Sequence, residues 1–185
     1  MNLHFRPSIF NGLEYNGRVQ KIDLPEAHYV DAAIGWLGLG SLTEAKAELA
    51  NLPASLQLHP DVLEIRWLIF AEEKQWEEAL HAAQALVQAA PDRSSGWLHQ
   101  AYALRRAEAG GVKKAWQALL PAFDKFPKES TISYNLSCYA CQLRQMEAAR
   151  VWIKRALVIG GKEKIKRMAL QDEDLEPLWE EIREL

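Results

Sequence analysis

The sequence predicts an all-α protein built from repeated helix pairs, and three observations carry that prediction. First, alanines recur at Ala45, Ala79, Ala115 and Ala149, in steps of 34, 36 and 34 residues. Second, a residue one helix earlier keeps nearly the same beat: Trp36, Phe70 and Leu104 are 34 apart, and Ala140 follows at 36. Third, nothing between Glu26 and Ile159 alternates like a strand, while helix breakers keep time, with Pro91, Pro127 and Gly161 each 12 residues after an alanine. Gln57 stands at that place in the first unit, and Pro60 lies three residues on. Self-similarity at a fixed period of this length is the mark of a stacked array.

Each unit reads as two helices. The predicted spans are Glu26 to Leu39 with Thr43 to Leu52, Asp61 to Glu73 with Trp76 to Ala89, Ser94 to Ala107 with Val112 to Phe126, and Thr131 to Leu143 with Met146 to Ile159. All are amphipathic at helical spacing, as in Trp97, Ala101 and Leu104, which form one apolar stripe. A small residue at each recurring alanine lets two helix axes approach where a longer side chain would hold them apart. Proline then offers no amide hydrogen to continue the helix and favours an extended residue before it, so the chain turns into the next pair. Asp92 or Ser94 is expected to cap the helix that follows. The two-residue excess of the third unit falls in RRAEAGG, where Gly110 and Gly111 suit a lengthened turn.

Helix pairs of this length and beat resemble the tetratricopeptide repeat. The resemblance covers about Glu26 to Gly161 and is fullest in LEIRWLIFAEEKQWEEALHAAQALVQAAP and GWLHQAYALRRAEAGGVKKAWQALLPAFDKFP. It implies a right-handed α-α superhelix of about four helix pairs. Trp67 stands where the family usually keeps Gly, Ala or Ser, as at Ala33, Ala101 and Ser137. Arg66 and Gln100 replace a usual leucine, and Ser133 replaces a bulky residue.

The expected organisation is an N-terminal arm over 1–24, four repeats over 25–161 and C-terminal capping helices over 162–185. In the arm, LEYNGRVQ places Asn16-Gly17 between two short alternating segments, the signal of a two-residue hairpin turn, with an extended arm as the alternative. Its Phe5, Ile9, Phe10 and Leu13 are candidates to cover the apolar first repeat. The tail LQDEDLEPLWEEIREL looks like the end segment of short bacterial proteins of this family. With Leu175, Leu178, Trp179 and Ile182 on one side and glutamates on the other, it suits a cap over the last apolar face of an array.

Composition narrows the function by exclusion. Of 185 residues 49% are hydrophobic, enough for a sizeable core, and 22 basic against 25 acidic residues leave a net charge of -3. No global field draws such a chain to nucleic acid or to an anionic membrane. The N-terminus lacks a basic segment followed by an apolar one, and no apolar run reaches membrane-spanning length, so a soluble, cytoplasmic protein is expected. The five histidines are scattered, and no HExxH, GxSxG, P-loop or GxGxxG occurs, so no enzyme activity, cofactor or metal is expected. The seven tryptophans read as packing residues, with Trp36 and Trp97 on core-facing stripes. Cys138 and Cys141 form the one CxxC, three residues apart on a helix face. They read as small apolar interface residues, with a redox or metal role as the alternative.

The resemblance implies a concave groove lined by the first helix of each pair. Opposite the Trp97 stripe the third such helix carries Leu98, His99, Tyr102, Arg105 and Arg106, and the fourth carries Tyr134, Asn135, Cys138, Cys141 and Gln142. The second offers Glu64, Ile65, Leu68, Ala71 and Glu72, and the first Val30, Asp31, Ile34, Leu37 and Gly38. The expected partner-binding residues are therefore His99, Tyr102, Arg105, Arg106, Tyr134, Asn135 and Cys138, with Tyr102, Arg105 and Arg106 the place for a partner carboxylate or carbonyl. Val30 and Ile34 cannot form the Lys and Asn carboxylate clamp of some family members, which disfavours that chaperone-docking role. The function expected is a noncatalytic module binding a protein or peptide segment, as a monomer or weak homodimer. A dedicated chaperone for a secreted or apolar client is the alternative within the same class.

Overall fold

Ten α-helices follow one another through the residues that the computed structural model describes, 21–185, with no strand among them. Those residues form two compact units, Lys21–Pro127 and Lys128–Leu185. The first contains α1 (Glu26–Gly38), α2 (Leu42–Ala50), α3 (Pro60–Glu72), α4 (Trp76–Ala89), α5 (Ser94–Leu104) and α6 (Val112–Lys125). The second contains α7 (Ser130–Gln142), α8 (Met146–Gly160), α9 (Lys162–Ala169) and α10 (Trp179–Glu184), with a 3₁₀ turn at Glu173–Leu178 before α10. The Asn16-Gly17 segment and the apolar arm residues lie outside the described residues.

Helices pack as the period predicts, α1 on α2, α3 on α4, α5 on α6 and α7 on α8, with α4 also on α5. Ala45, Ala79, Ala115 and Ala149 are all fully buried. The small residues Ala33, Ala101 and Ser137 are buried too, and the Ser137 hydroxyl donates to the Ala149 carbonyl at 2.9 Å. That bond spans one helix pair and shows directly how near the axes come. The core of the first unit continues through Ile22, Val30, Leu49, Leu52, Val62, Ile65 and Ile69, so Val30 of the expected groove stripe belongs to the interior. Trp36, expected on a core-facing stripe, is instead 38% exposed, its indole N–H 3.4 Å from Glu48 Oε1.

The turn inside each pair explains the beat of the residue preceding it. Ser41 N donates to Trp36 O, Gln75 N to Phe70 O and Gln145 N to Ala140 O, each at 2.9 Å, and the residue before each donor bonds the next carbonyl along, Leu37 O, Ala71 O and Cys141 O. This is the Schellman arrangement, which needs a left-handed residue just past the helix. Gly40, Lys74 and Arg144 take that place with φ of 76°, 59° and 60°. In the third pair Gly111 N reaches the matching carbonyl, Leu104 O, at 2.7 Å across a loop two residues longer. A Cβ at Gly110 would sit 1.8 Å from that same oxygen, so only glycine fits. The longer loop also ends α5 at Leu104, three residues before the predicted Ala107.

Helix starts differ in detail from expectation. Neither Asp92 nor Ser94 caps α5: its N-cap is Arg93, with no capping side-chain hydrogen bond. The Arg93 guanidinium instead reaches back to α3, 2.7 Å from Asp61 Oδ1 and 3.5 Å from Glu64 Oε2. At the start of α3, His59 Nδ1 accepts from Asp61 N at 3.2 Å, and Pro60 occupies the first helical position, where a missing amide hydrogen is harmless.

In the second unit the C-terminal residues fold back on their own helices. Leu175, Leu178 and Ile182 are buried, and the 3₁₀ turn, with Pro177 inside it, lies on α7. Trp179 Nε1 donates to Ala169 O at 2.9 Å, satisfying a carbonyl at the end of α9. Arg150 on α8 grips Glu181 on α10 through Nε at 2.8 Å and Nη2 at 2.8 Å.

Two measurements follow from this architecture. Ala79→Leu or Ala149→Leu forces a side chain into a filled crossing and lowers urea-unfolding stability by about 1–3 kcal/mol. Lys74→Gly and Arg144→Gly relieve side chains held at positive φ and raise stability, each by roughly 1 kcal/mol. The midpoints of urea unfolding, followed by circular dichroism, read both effects.

Candidate functional site

The expected groove residues fall in both units, and each group has its own surroundings. In the first unit, α5 presents His99 and Tyr102 from its second and final turns, and Arg105 and Arg106 follow its end. His99 is 5% exposed and lies flat on Trp67 of α3, ring centroids 3.7 Å apart and planes 8° from parallel. Its Nε2 is 3.4 Å from Glu64 Oε1. Burial alone would raise the Glu64 carboxyl, but hydrogen bonding and charge from His99, with Ser95 and Arg93, outweigh it and hold that carboxyl below its ordinary value. His99 is thus part of the wall between α3 and α5.

Tyr102 meets Trp67 edge-on, ring centroids 5.8 Å apart, and lies tilted against Trp76 of α4 at 5.9 Å. Over this pair lies the Arg106 guanidinium, 3.5 Å from the Tyr102 ring centroid and 5.2 Å from that of Trp76. Arg106 Nη1 also donates to Tyr102 O at 3.0 Å, which fixes the plane of the fork. Tyr102, Arg105, Arg106 and Trp76 are all half-buried, so each keeps part of its surface open to solvent. Such a layered cation and aromatic set combines forked donors with flat apolar area whose orientation is already set.

The sequence did not single out Trp67 or Trp76 for this cluster. Trp67 had one signal: a large ring where the repeat usually keeps a small residue. The ring is only 2% exposed because it turns towards α5 and is received by His99 and Tyr102.

In the second unit, Tyr134, Asn135 and Cys138 sit on α7 under the C-terminal segment. Tyr134 is buried and its hydroxyl donates to Asp172 Oδ2 at 2.9 Å, while Cys138 Sγ lies 3.6 Å from the same oxygen. Asp172 Oδ1 accepts from Asp174 N at 3.1 Å and so caps the 3₁₀ turn. Asn135 Nδ2 donates to Thr131 O at 2.8 Å, along its own helix. Burial, then the neighbouring Cys138 and Asp172, push the Tyr134 phenol above its ordinary value. Burial likewise raises Asp172, with the Tyr134 hydroxyl and the Asp174 amide opposing it. Asp172 carried no signal in the sequence beyond its place in an acidic tail.

Cys138 and Cys141 are both buried, and neither is in a disulfide. Burial, then Asp174 and Asp172, push the Cys141 thiol up to about 11, the reverse of the lowered value that makes a thiol reactive. Ligand-type atoms of Cys138, Asp172 and Asp174 lie within 4.8 Å of one another. Asp172, however, already serves the Tyr134 hydroxyl and the Asp174 amide, so the cluster is built as a structural junction between α7 and the tail.

No family model matches the sequence, and no curated protein matches it. Solved structures do. MamA 41-end from Desulfovibrio magneticus RS-1 is 16% identical with a TM-score of 0.66, over 89% of this chain and 97% of that one. MamA from AMB-1 is 17% identical with a TM-score of 0.62, over 89% and 93%. A thermophilic TPR protein from Thermus thermophilus is 16% identical with a TM-score of 0.59, over 85% and 95%. The chain therefore has the helical repeat fold of tetratricopeptide repeat proteins.

Proposed function

We propose that the protein is a noncatalytic interaction module that binds an extended segment of a protein partner on the Lys21–Pro127 unit, at Tyr102, Arg105 and Arg106. The observation that carries this reading is the Trp76–Tyr102–Arg106 stack, in which Arg106 lies 3.5 Å over the tyrosine ring and 5.2 Å from the tryptophan ring. A guanidinium already ordered on aromatic faces loses little side-chain freedom when it meets a carboxylate or carbonyl, and so keeps more of the interaction as affinity. The fold supports the reading as well, because repeat arrays offer extended surfaces suited to polypeptide segments. His99 supports the site from below, through its stack on Trp67. Tyr134 and Cys138 take no part in partner binding; they hold the C-terminal segment on α7.

Acidic peptides are therefore expected to bind, with affinity falling as salt rises. The doubly charge-reversed variant Arg105→Glu with Arg106→Glu is expected to bind them at least about tenfold more weakly while keeping its circular dichroism melt. Fluorescence anisotropy of a panel of labelled acidic, neutral and basic peptides checks this. Equal binding by the variant, or no preference for acidic peptides, removes the site.

The role given to Asp172 has its own test. Its carboxyl titrates above its ordinary value in the folded chain, so the native state holds the proton to higher pH than the unfolded one. Stability should therefore fall as pH rises from the ordinary carboxylate value, about 4, through the raised one. Asp172→Asn, which cannot ionise, should flatten that part of the profile, and urea midpoints measured across the window for both proteins will show it.

A further inference from the structure

Arg66 stands in α3 where the repeat usually carries leucine, and it borders a cleft. Together with Lys46, Leu49 and Ala50 of α2 and Ile69 and Phe70 of α3, it lines a cleft of about 280 Å³ whose floor is apolar. Leu49 and Ile69 are buried, Phe70 is half-buried, and Lys46 stands at the exposed rim.

The two cations are not equivalent. Lys46 Nζ is matched by Glu73, 2.6 Å from each carboxylate oxygen. Arg66 is half-buried, and its hydrogen bonds within the described residues run to neutral oxygens of one residue: Nη1 to Gln57 O at 3.3 Å and Nη2 to Gln57 Oε1. The Gln57 amide is itself held by the end of α2 and the residues just after it, donating to Leu52 O at 2.7 Å and to Leu49 O at 3.4 Å, so its oxygen is aimed at the guanidinium. Burial lowers the Arg66 pKa from its ordinary value, and no compensating carboxylate offsets it among the described residues. A guanidinium carries five N–H donors, more than Gln57 uses, and a partly desolvated charge without a counter-charge favours an incoming anion.

The geometry points to a binding site for a small monocarboxylate carrying a short aliphatic or aryl group, its carboxylate on Arg66 and its apolar part on Leu49, Ile69 and Phe70. One negative charge is the complement of the site, since Glu73 already balances Lys46. At about 280 Å³ the cleft falls just short of pockets for drug-sized ligands, which start at about 300 Å³, and so suits a smaller molecule. The site lies on the side of α3 turned to α2, apart from the Trp67 side that meets α5, and stands or falls independently of peptide binding at Arg105 and Arg106.

Octanoate, its neutral isostere octanamide, and acetate are the probes, titrated into the full chain by calorimetry and by methyl-resolved NMR of Leu49 and Ile69. Octanoate is expected to bind one to one and to shift those two methyl signals. Octanamide and acetate should each bind about tenfold more weakly or worse, the first for want of charge and the second for want of apolar contact. Arg66→Leu, which restores the usual residue, and Arg66→Gln, which keeps a polar side chain, should both abolish the preference for octanoate over octanamide while the circular dichroism melt stays cooperative. Equal affinity for octanoate and octanamide, retention of the preference in both variants, shifts confined to other methyls, or no binding of octanoate would each overturn the assignment.

Discussion

Close approach of two helices at an alanine is the constraint on which the rest of this chain depends. Ala45, Ala79, Ala115 and Ala149 are fully buried, and in the fourth pair a serine hydroxyl reaches across to the alanine carbonyl at 2.9 Å. At that separation there is no room for a side chain beyond Cβ, so the position tolerates almost nothing else. The turn then fixes the other end of the distance. A Schellman closure returns the chain onto the carbonyl of Trp36, Phe70 or Ala140, always five residues before the donor amide, so the second helix starts at a set place relative to the first. Helix length, turn and crossing together set the 34-residue step, and the third pair adds two residues only by opening a longer loop over the same Leu104 carbonyl.

Helix α3 departs from that rule at two adjacent positions, and the departures have opposite consequences. Trp67 puts a large ring where the other pairs keep Ala or Ser, and the ring escapes the crossing by turning towards α5, where His99 stacks on it. The interior gains an aromatic layer, and Tyr102 and Trp76 extend that layer to the surface. Arg66 puts a charge where leucine would close the seam against α2, and the seam stays open as a cleft. One residue step along a helix turns the side chain by about 100°, so the two substitutions act on different faces of the same element. In the first unit the charged cleft and the aromatic layer both lie where the repeat is least regular.

Most of the fold was legible because it rests on periodicity. Helix α4 matches its expected span residue for residue, the starts of α1, α5, α6 and α8 match as well, and the remaining boundaries of the paired helices differ by one to three positions, the largest where the RRAEAGG loop draws α5 to a close. The geometry of the candidate site was legible in part. Helical spacing placed Tyr102, Arg105 and Arg106 together, but it carries no information about which neighbouring helix lies over a given face. That is why His99, on the same stripe, proved to be a wall residue, and why Tyr134 and Cys138 proved to face Asp172. The cap of α5 departs from local expectation for a related reason: Asp92 and Ser94 have the chemistry of caps, yet the N-cap is Arg93, which reaches to Asp61 and Glu64, residues of α3 that no local pattern connects with it.

The two aromatic residues Tyr102 and Tyr134 show how the same side chain can be placed in opposite surroundings. Tyr134 has its hydroxyl satisfied by a buried carboxylate of its own chain and its ring covered, so every interaction it can make is already made. Its contribution is to stability, through a hydrogen bond to a group whose burial would otherwise go uncompensated. Tyr102 has its ring sandwiched between Trp67, Trp76 and Arg106, while it remains half-buried. Packing of that kind fixes orientation without covering the surface, and recognition needs both: an anchor that is free to rotate gives up affinity when it is immobilised, and one that is covered offers none. The distinction lies in what packs above each ring, a property of tertiary contacts: it leaves Tyr102 partly exposed, as the proposed binding role requires, and covers Tyr134.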